Sequence, residues 1–145
     1  MKEDNSDLII NVPKDQLICK QGDKTRDLYK IVSGKLMICS RNNSMVTPLA
    51  HLEAGEYFGE FSFFDGMERS ADVIAIEDCT LIQVPPEELK KQFPRWLLIT
   101  AKNMTHKLRV MDNVIRTKGI KKKKSSVPPL SINEQRYYLN IIEKE

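Results

Sequence analysis

Gly55-Glu56-Tyr57-Phe58-Gly59-Glu60-Phe61-Ser62-Phe63-Phe64-Asp65-Gly66-Met67-Glu68-Arg69-Ser70-Ala71 carries the densest signal in the chain. Its glycines and aromatic residues predict a tight turn into a very short helix, then a loop that delivers an arginine and a hydroxyl to the next strand. That is how an anion site is built. The unpaired N–H groups at the helix N-terminus carry partial positive charge. Gly59 lets a ligand approach the backbone closely. Arg69 offers a planar fork of donors to phosphate oxygens, and Ser70 adds one hydroxyl. Glu60 is the informative oddity. A carboxylate repels a phosphate, so its place beside an anion site calls for a hydroxyl donor on the same ligand, such as a ribose 2′-OH. The competing reading is a surface ion pair between Glu60 and Arg69, which contributes little.

On both sides of this stretch, from Leu8 to about Val84, short apolar runs are broken by turn residues, the pattern of a β-sandwich or barrel. The runs are Leu8 to Val12, Gln16 to Gln21, Leu28 to Val32, Lys35 to Ser40, Met45 to Leu52, Ser70 to Ile76 and Thr80 to Val84. They predict roughly eight short strands, with boundaries good to a few residues. Gly22-Asp23 and Asn42-Asn43 tolerate positive φ, and Ser33-Gly34 has the two-residue length of a tight hairpin.

Pro85-Pro86 ends the strand region, and Pro86 suits a first helical position, where its missing N–H costs nothing. A short helix through Phe93 follows. Pro94 opens a longer one with Leu97, Ala101, Met104, Leu108, Met111 and Ile115 spaced 4, 3, 4, 3, 4, a heptad seam. One helix alone leaves that seam half covered. It packs on the sandwich or on a second copy, and the narrow stripe favours a parallel homodimer through residues 94–118. Beyond Lys118-Gly119 come the run Lys121 to Lys124 and a linker-like Ser125 to Leu130. Ser131 to Glu145 reads as a last helix, with Ser131 and Glu134 at capping-box spacing and Tyr138, Ile141 and Ile142 on one face.

Residues Phe58-Gly59-Glu60-Phe61-Ser62-Phe63-Phe64, then Asp65 to Glu68, then Arg69-Ser70-Ala71 resemble the phosphate-binding cassette of the cyclic nucleotide-binding domain family, which includes catabolite activator proteins and protein kinase A regulatory subunits. The family pattern also matches in Ile18 with Gln21-Gly22-Asp23, Leu28 to Gly34, Leu52 with Gly55 to Phe58, and Ala75 with Glu77-Asp78-Cys79. The resemblance covers roughly Leu8 to Lys118. It implies a mainly β fold, a double-stranded β-helix or jelly-roll sandwich, followed by a hinge helix and a long dimerisation helix. It divides the chain into a cyclic nucleotide-binding domain at 8–118, including its C-terminal helices, and a basic linker with a short terminal helix at 119–145.

The same resemblance implies a cyclic AMP or cyclic GMP ligand. Gly59 and Ala71 belong to the cassette, Glu60 accepts the ribose 2′-OH, and Arg69 pairs with the cyclic phosphate. Ser70 and the backbone of Phe61 and Ser62 complete the cradle. Alignment of the long helices places Met111 and Asp112 where catabolite activator protein recognises adenine. The Asp112 carboxylate can accept from an adenine amino group or from two guanine N–H groups. Ser70 resembles the cyclic AMP sensors, so cyclic AMP is favoured. Only Met1 to Asp7 precede the first strand, where the family carries a helical segment. The 27 residues after Lys118 cannot house the winged helix of the family's transcription regulators.

Bulk properties narrow the alternatives. At 145 residues, 41% hydrophobic and 30% charged, the chain has the composition of one ordinary globular domain. No apolar run approaches the ~18 residues of a membrane helix, and residues 2–4 lack a signal-peptide layout, so the expectation is cytoplasmic. Cys19, Cys39 and Cys79 lack CxxC spacing and read as buried thiols, and isolated His51 and His106 argue against a metal. No nucleophile–base pair or carboxylate dyad points to an enzyme. Two other functions compete with the sensor. One is a nucleotide-free dimeric scaffold; the other is a DNA-associated regulator using Lys121 to Lys124, although a net charge of only +3 does not argue for nucleic acid.

Overall fold

Strand alternation sorts the chain into two faces, and the computed structural model, which describes residues 8–118 and 128–144, shows what each face meets. Among these residues eight strands form two four-stranded antiparallel sheets. The first holds β1 (Ile9–Val12), β8 (Cys79–Val84), β3 (Leu28–Ser33) and β6 (Tyr57–Phe58), in that order. The second holds β2 (Leu17–Cys19), β7 (Asp72–Ala75), β4 (Leu36–Asn42) and β5 (Met45–Leu52). Their inner faces share a core of Val12, Cys19, Tyr29, Ile31, Leu36, Phe58, Val73, Ala75, Cys79 and Leu81. Ile31, Leu36, Ala75 and Leu81 have no exposed surface at all. The architecture is the expected jelly-roll sandwich with C-terminal helices.

One local expectation is corrected. Ser33-Gly34 does not close a hairpin, because β3 pairs with β6 and β8 whereas β4 pairs with β5 and β7. The chain changes sheets there. Gly34 has φ +94, and a side chain on it would run into the backbone of Asp78 and into Cys79. Glycine at this point serves a crossing over the β7–β8 turn. The tight hairpin lies one connection later, where Asn43 (φ 55) helps turn β4 into β5 and Asn42 faces Met45. The strand the sequence did not announce is β6, only two residues long.

Among the described residues four α-helices complete the fold: α1 (Glu60–Asp65), α2 (Glu87–Gln92), α3 (Arg95–Lys118) and α4 (Ile132–Glu143). In α3 the docked face meets the heptad seam at Ala101 and otherwise runs beside it. Leu98, Ala101, Thr105, Arg109 and Asp112 turn inward, while Met104, Leu108 and Met111 are 59%, 49% and 60% exposed. Ile115 belongs to the seam by sequence; its side chain lies outside the described residues, as do the whole of Lys121 to Lys124. The three cysteines are buried and free, as expected. Burial pushes the Cys19 thiol up to about 11 and that of Cys39 to about 12.

Candidate functional site

The loop between β6 and β7 is shaped by two left-handed glycines that bracket α1. Gly59 at its start has φ +85 and Gly66 at its end has φ +70, where it donates its N–H to Ser62 O. Ser62 and Phe63 turn inward and anchor the short helix. Beyond it, the backbone of Arg69 is pinned on both sides by the β2–β3 connection. Its N–H donates to Asp23 O at 2.8 Å, and its carbonyl accepts from Gly22 N–H at 2.9 Å. Asp72 adds a third tie, with Oδ1 accepting from Gln21 N–H at 2.7 Å.

The side chain of Arg69 is 5% exposed, which for a guanidinium requires partners. Nε donates to Thr25 Oγ1 at 3.2 Å, Nη1 to Gly59 O at 3.1 Å and Nη2 to Asp27 O at 2.7 Å. Tyr29, itself stacked on Phe58 at 4.8 Å, lies 5.9 Å from the guanidinium carbon. These bonds use one N–H on each nitrogen. The second N–H of Nη1 and of Nη2 remains geometrically distinct, so the arginine is fixed in direction before any ligand arrives.

All eight residues singled out in the sequence line one cavity of about 250 Å³: Gly59, Glu60, Phe61, Ser62, Arg69, Ser70, Ala71 and Asp112. The first seven come from one loop. Asp112 arrives from α3, which rests on α1 through an ion pair between Arg109 and Asp65. Arg109 Nε donates to Asp65 Oδ2 and Nη2 donates to Oδ1 at 3.1 Å. The Arg109 guanidinium also lies over the Phe61 ring, 5.3 Å from its centroid. Glu60 is open to solvent at the cavity mouth. Even so, lost hydration raises its carboxyl above the ordinary range, against the opposing pull of its own backbone N–H and of Arg69.

Sequence reasoning missed the cavity's inner wall, formed by Cys19, Ile38, Leu49, Phe58 and Val73. Inward alternation flags most of them as core, and nothing local shows which part of a core stays open. It also read Gly59 as room for a ligand. The atoms crowding that glycine belong to the protein: a Cβ there would sit 2.6 Å from Arg69 Nη1 and 2.8 Å from Asp27 O. Among the described residues there is no helix long and apolar enough to cross a membrane, and no cluster of three potential metal ligands.

A jelly-roll sandwich that carries a short helix and an arginine loop between its sixth and seventh strands, with a long helix resting on that loop, defines a class of regulatory ligand-binding module. The chain belongs to the cyclic nucleotide-binding domain family, whose model matches residues 9–95. Over 77 residues it is 38% identical to the cyclic AMP receptor protein of Thermus thermophilus, covering 52% of this chain and 36% of that protein. The cAMP-bound form of the EAL enzyme Bd1971 matches with TM-score 0.67 and 28% identity, over 77% of this chain and 31% of that one. The catabolite activator protein of Thermus thermophilus matches at 0.61 with 30% identity, over 77% and 54%. The chain thus spans less than two thirds of each of these relatives.

Proposed function

We propose that this chain is a cyclic nucleotide sensor, with cyclic AMP favoured over cyclic GMP, that signals through its C-terminal helices and acts as a homodimer. The observation that carries the reading is the convergence of Arg69, Glu60 and Ser70 on one small cavity with an Asp112 wall. Its volume of about 250 Å³ lies just under the ~300–1,000 Å³ of small-molecule pockets, which restricts the ligand to the small end of that range. In this reading the spare N–H groups of Arg69 meet the cyclic phosphate, the Ser70 hydroxyl and the backbone of Phe61 and Ser62 share it, and Glu60 accepts the ribose 2′-OH. Arg69 is a binding group, and the chemistry is recognition without turnover.

The signal leaves by the ion pair. A ligand touching Phe61 and Asp112 contacts both α1 and α3, so it biases how the long helix seats on the cassette. The apolar seam of Met104, Leu108 and Met111 stays outside that contact. It supports a dimer, because an exposed stripe of this kind is ordinarily covered by a partner. Leu108→Asp is expected to turn the dimer into a monomer in sedimentation velocity while leaving nucleotide affinity within about threefold, since Leu108 does not line the cavity. An unchanged sedimentation coefficient argues against the seam as the dimer contact.

Calorimetry of the purified chain with each nucleotide tests the sensor. Saturable one-site heat is expected, tighter for cyclic AMP. A nucleotide-free scaffold gives none with either. Asp112→Asn is expected to weaken cyclic GMP by about tenfold or more, because hydrogen bonds to a charged group contribute ~1.5–3 kcal/mol, and to change cyclic AMP less. If both affinities stay put, Asp112 does not touch the base.

A further inference from the structure

The last helix occupies a place that the nucleotide reading leaves unused. The second sheet is a single layer, and pleating sends alternate residues to opposite sides. On its front, Ile38 and Val73 line the nucleotide cavity beside Cys19 and Leu49. On its back, Leu17, Met37, Cys39, Val46 and Ile74 form a second apolar cluster closed by Ile142 of α4, which has no exposed surface. Met37, Ile38 and Cys39 are consecutive, as are Val73 and Ile74, so ligand and helix grip the same two strands from opposite sides.

The seat of α4 is specific. Ser131 and Glu134 form a complete capping box that starts the helix at the sheet. Gln135 Oε1 accepts the Val46 N–H at 2.6 Å, and so caps a backbone donor of β5, the outer strand of its sheet. Tyr138, Leu139 and Ile141 pack around Ile142 on the cluster. The occupant of this face is therefore the chain's own residues 132–143.

We propose that α4 is a positioning element for the nucleotide cavity: seated behind the sheet whose front lines that cavity, it raises nucleotide affinity, and bound nucleotide tightens its seat. This rests on the sensor reading. A strand packed on both faces is already ordered, and a ligand that meets an ordered wall loses less in fixing it. Linkage makes the effect reciprocal.

The test uses the full chain, with cyclic AMP as the probe. In hydrogen–deuterium exchange, saturating nucleotide is expected to slow the amides of residues 132–143. In calorimetry, Ile142→Asp, which unseats the helix, is expected to weaken cyclic AMP by at least about fivefold, the low end of measured couplings. Gln135→Ala removes only the bond to Val46 and keeps the apolar seat; it is expected to weaken binding by about twofold, and it carries the test if Ile142→Asp does not fold. Absence of heat from the unaltered chain overturns the sensor and the coupling together. Saturable binding with unchanged or faster α4 exchange, and unchanged affinity in the folded variants, overturns the coupling alone.

Discussion

Arg69→Ala is expected to lower cyclic nucleotide affinity by at least tenfold, read by calorimetry against the unaltered chain. Truncating one partner of a buried, hydrogen-bonded charge pair costs about 2–5 kcal/mol of binding, and each ~1.4 kcal/mol is a factor of ten. The arginine is also structural, so a loss of binding must be separated from a loss of fold. Its side chain satisfies the half-buried Gly59 O and Asp27 O and the more exposed Thr25 Oγ1, and a backbone acceptor shut off from water without a donor costs up to about 1–3 kcal/mol of stability. Arg69→Lys makes that separation. Lysine keeps the charge and cannot hold three divergent acceptors while facing a phosphate with a planar fork. It is expected to retain more thermal stability than the alanine variant and still bind at least tenfold more weakly. A folded Arg69→Ala protein that binds at full affinity would remove the phosphate from Arg69.

That arginine also shows how far a sequence can be read. The candidate anion site was legible because glycine, arginine and hydroxyl positions within one loop are set by local geometry, and Gly59 to Ser62 with Arg69 to Ala71 do line one cavity. What holds Arg69 was not legible. Two of its three partners are backbone carbonyls, which every residue has, and they sit 10 and 42 positions away. The Arg109–Asp65 pair spans 44 positions and leaves no mark in either local pattern.

The same limit explains the Ser33-Gly34 connection. Turn chemistry reports that the chain reverses or kinks, whereas sheet membership depends on β7 and β8, far along the chain. For α4, the shared face of Tyr138 and Ile142 was visible in the spacing. Its destination required the outward alternation of β4, β5 and β7, which a strand buried on both faces does not display as a clean polar stripe. In α3 a heptad seam dominated the pattern, and the docking face beside it carries Thr105, Arg109 and Asp112, too polar to register as buried.

Gly59→Ala is the second change with a large expected effect, and Gly66→Ala is its internal control. Both glycines flank α1 at positive φ, +85 and +70, where a Cβ costs roughly 1–2 kcal/mol. They differ in what that Cβ meets. At Gly66 the nearest atom is Arg26 Nη1 at 3.2 Å, the end of a flexible exposed side chain that can move aside. At Gly59 the nearest atoms are Arg69 Nη1 at 2.6 Å and Asp27 O at 2.8 Å, a buried guanidinium and a main-chain carbonyl that are bonded to each other through Nη2. The methyl must displace the guanidinium, because the backbone cannot yield. Both variants are therefore expected to melt at lower temperature, by a few degrees for Gly66→Ala and more for Gly59→Ala. Only Gly59→Ala is expected to lose at least tenfold in nucleotide affinity, since only there does the added carbon push on Arg69, the group proposed to meet the phosphate. Equal losses of affinity in the two variants would mean that general strain in the loop, and not the position of Arg69, governs binding.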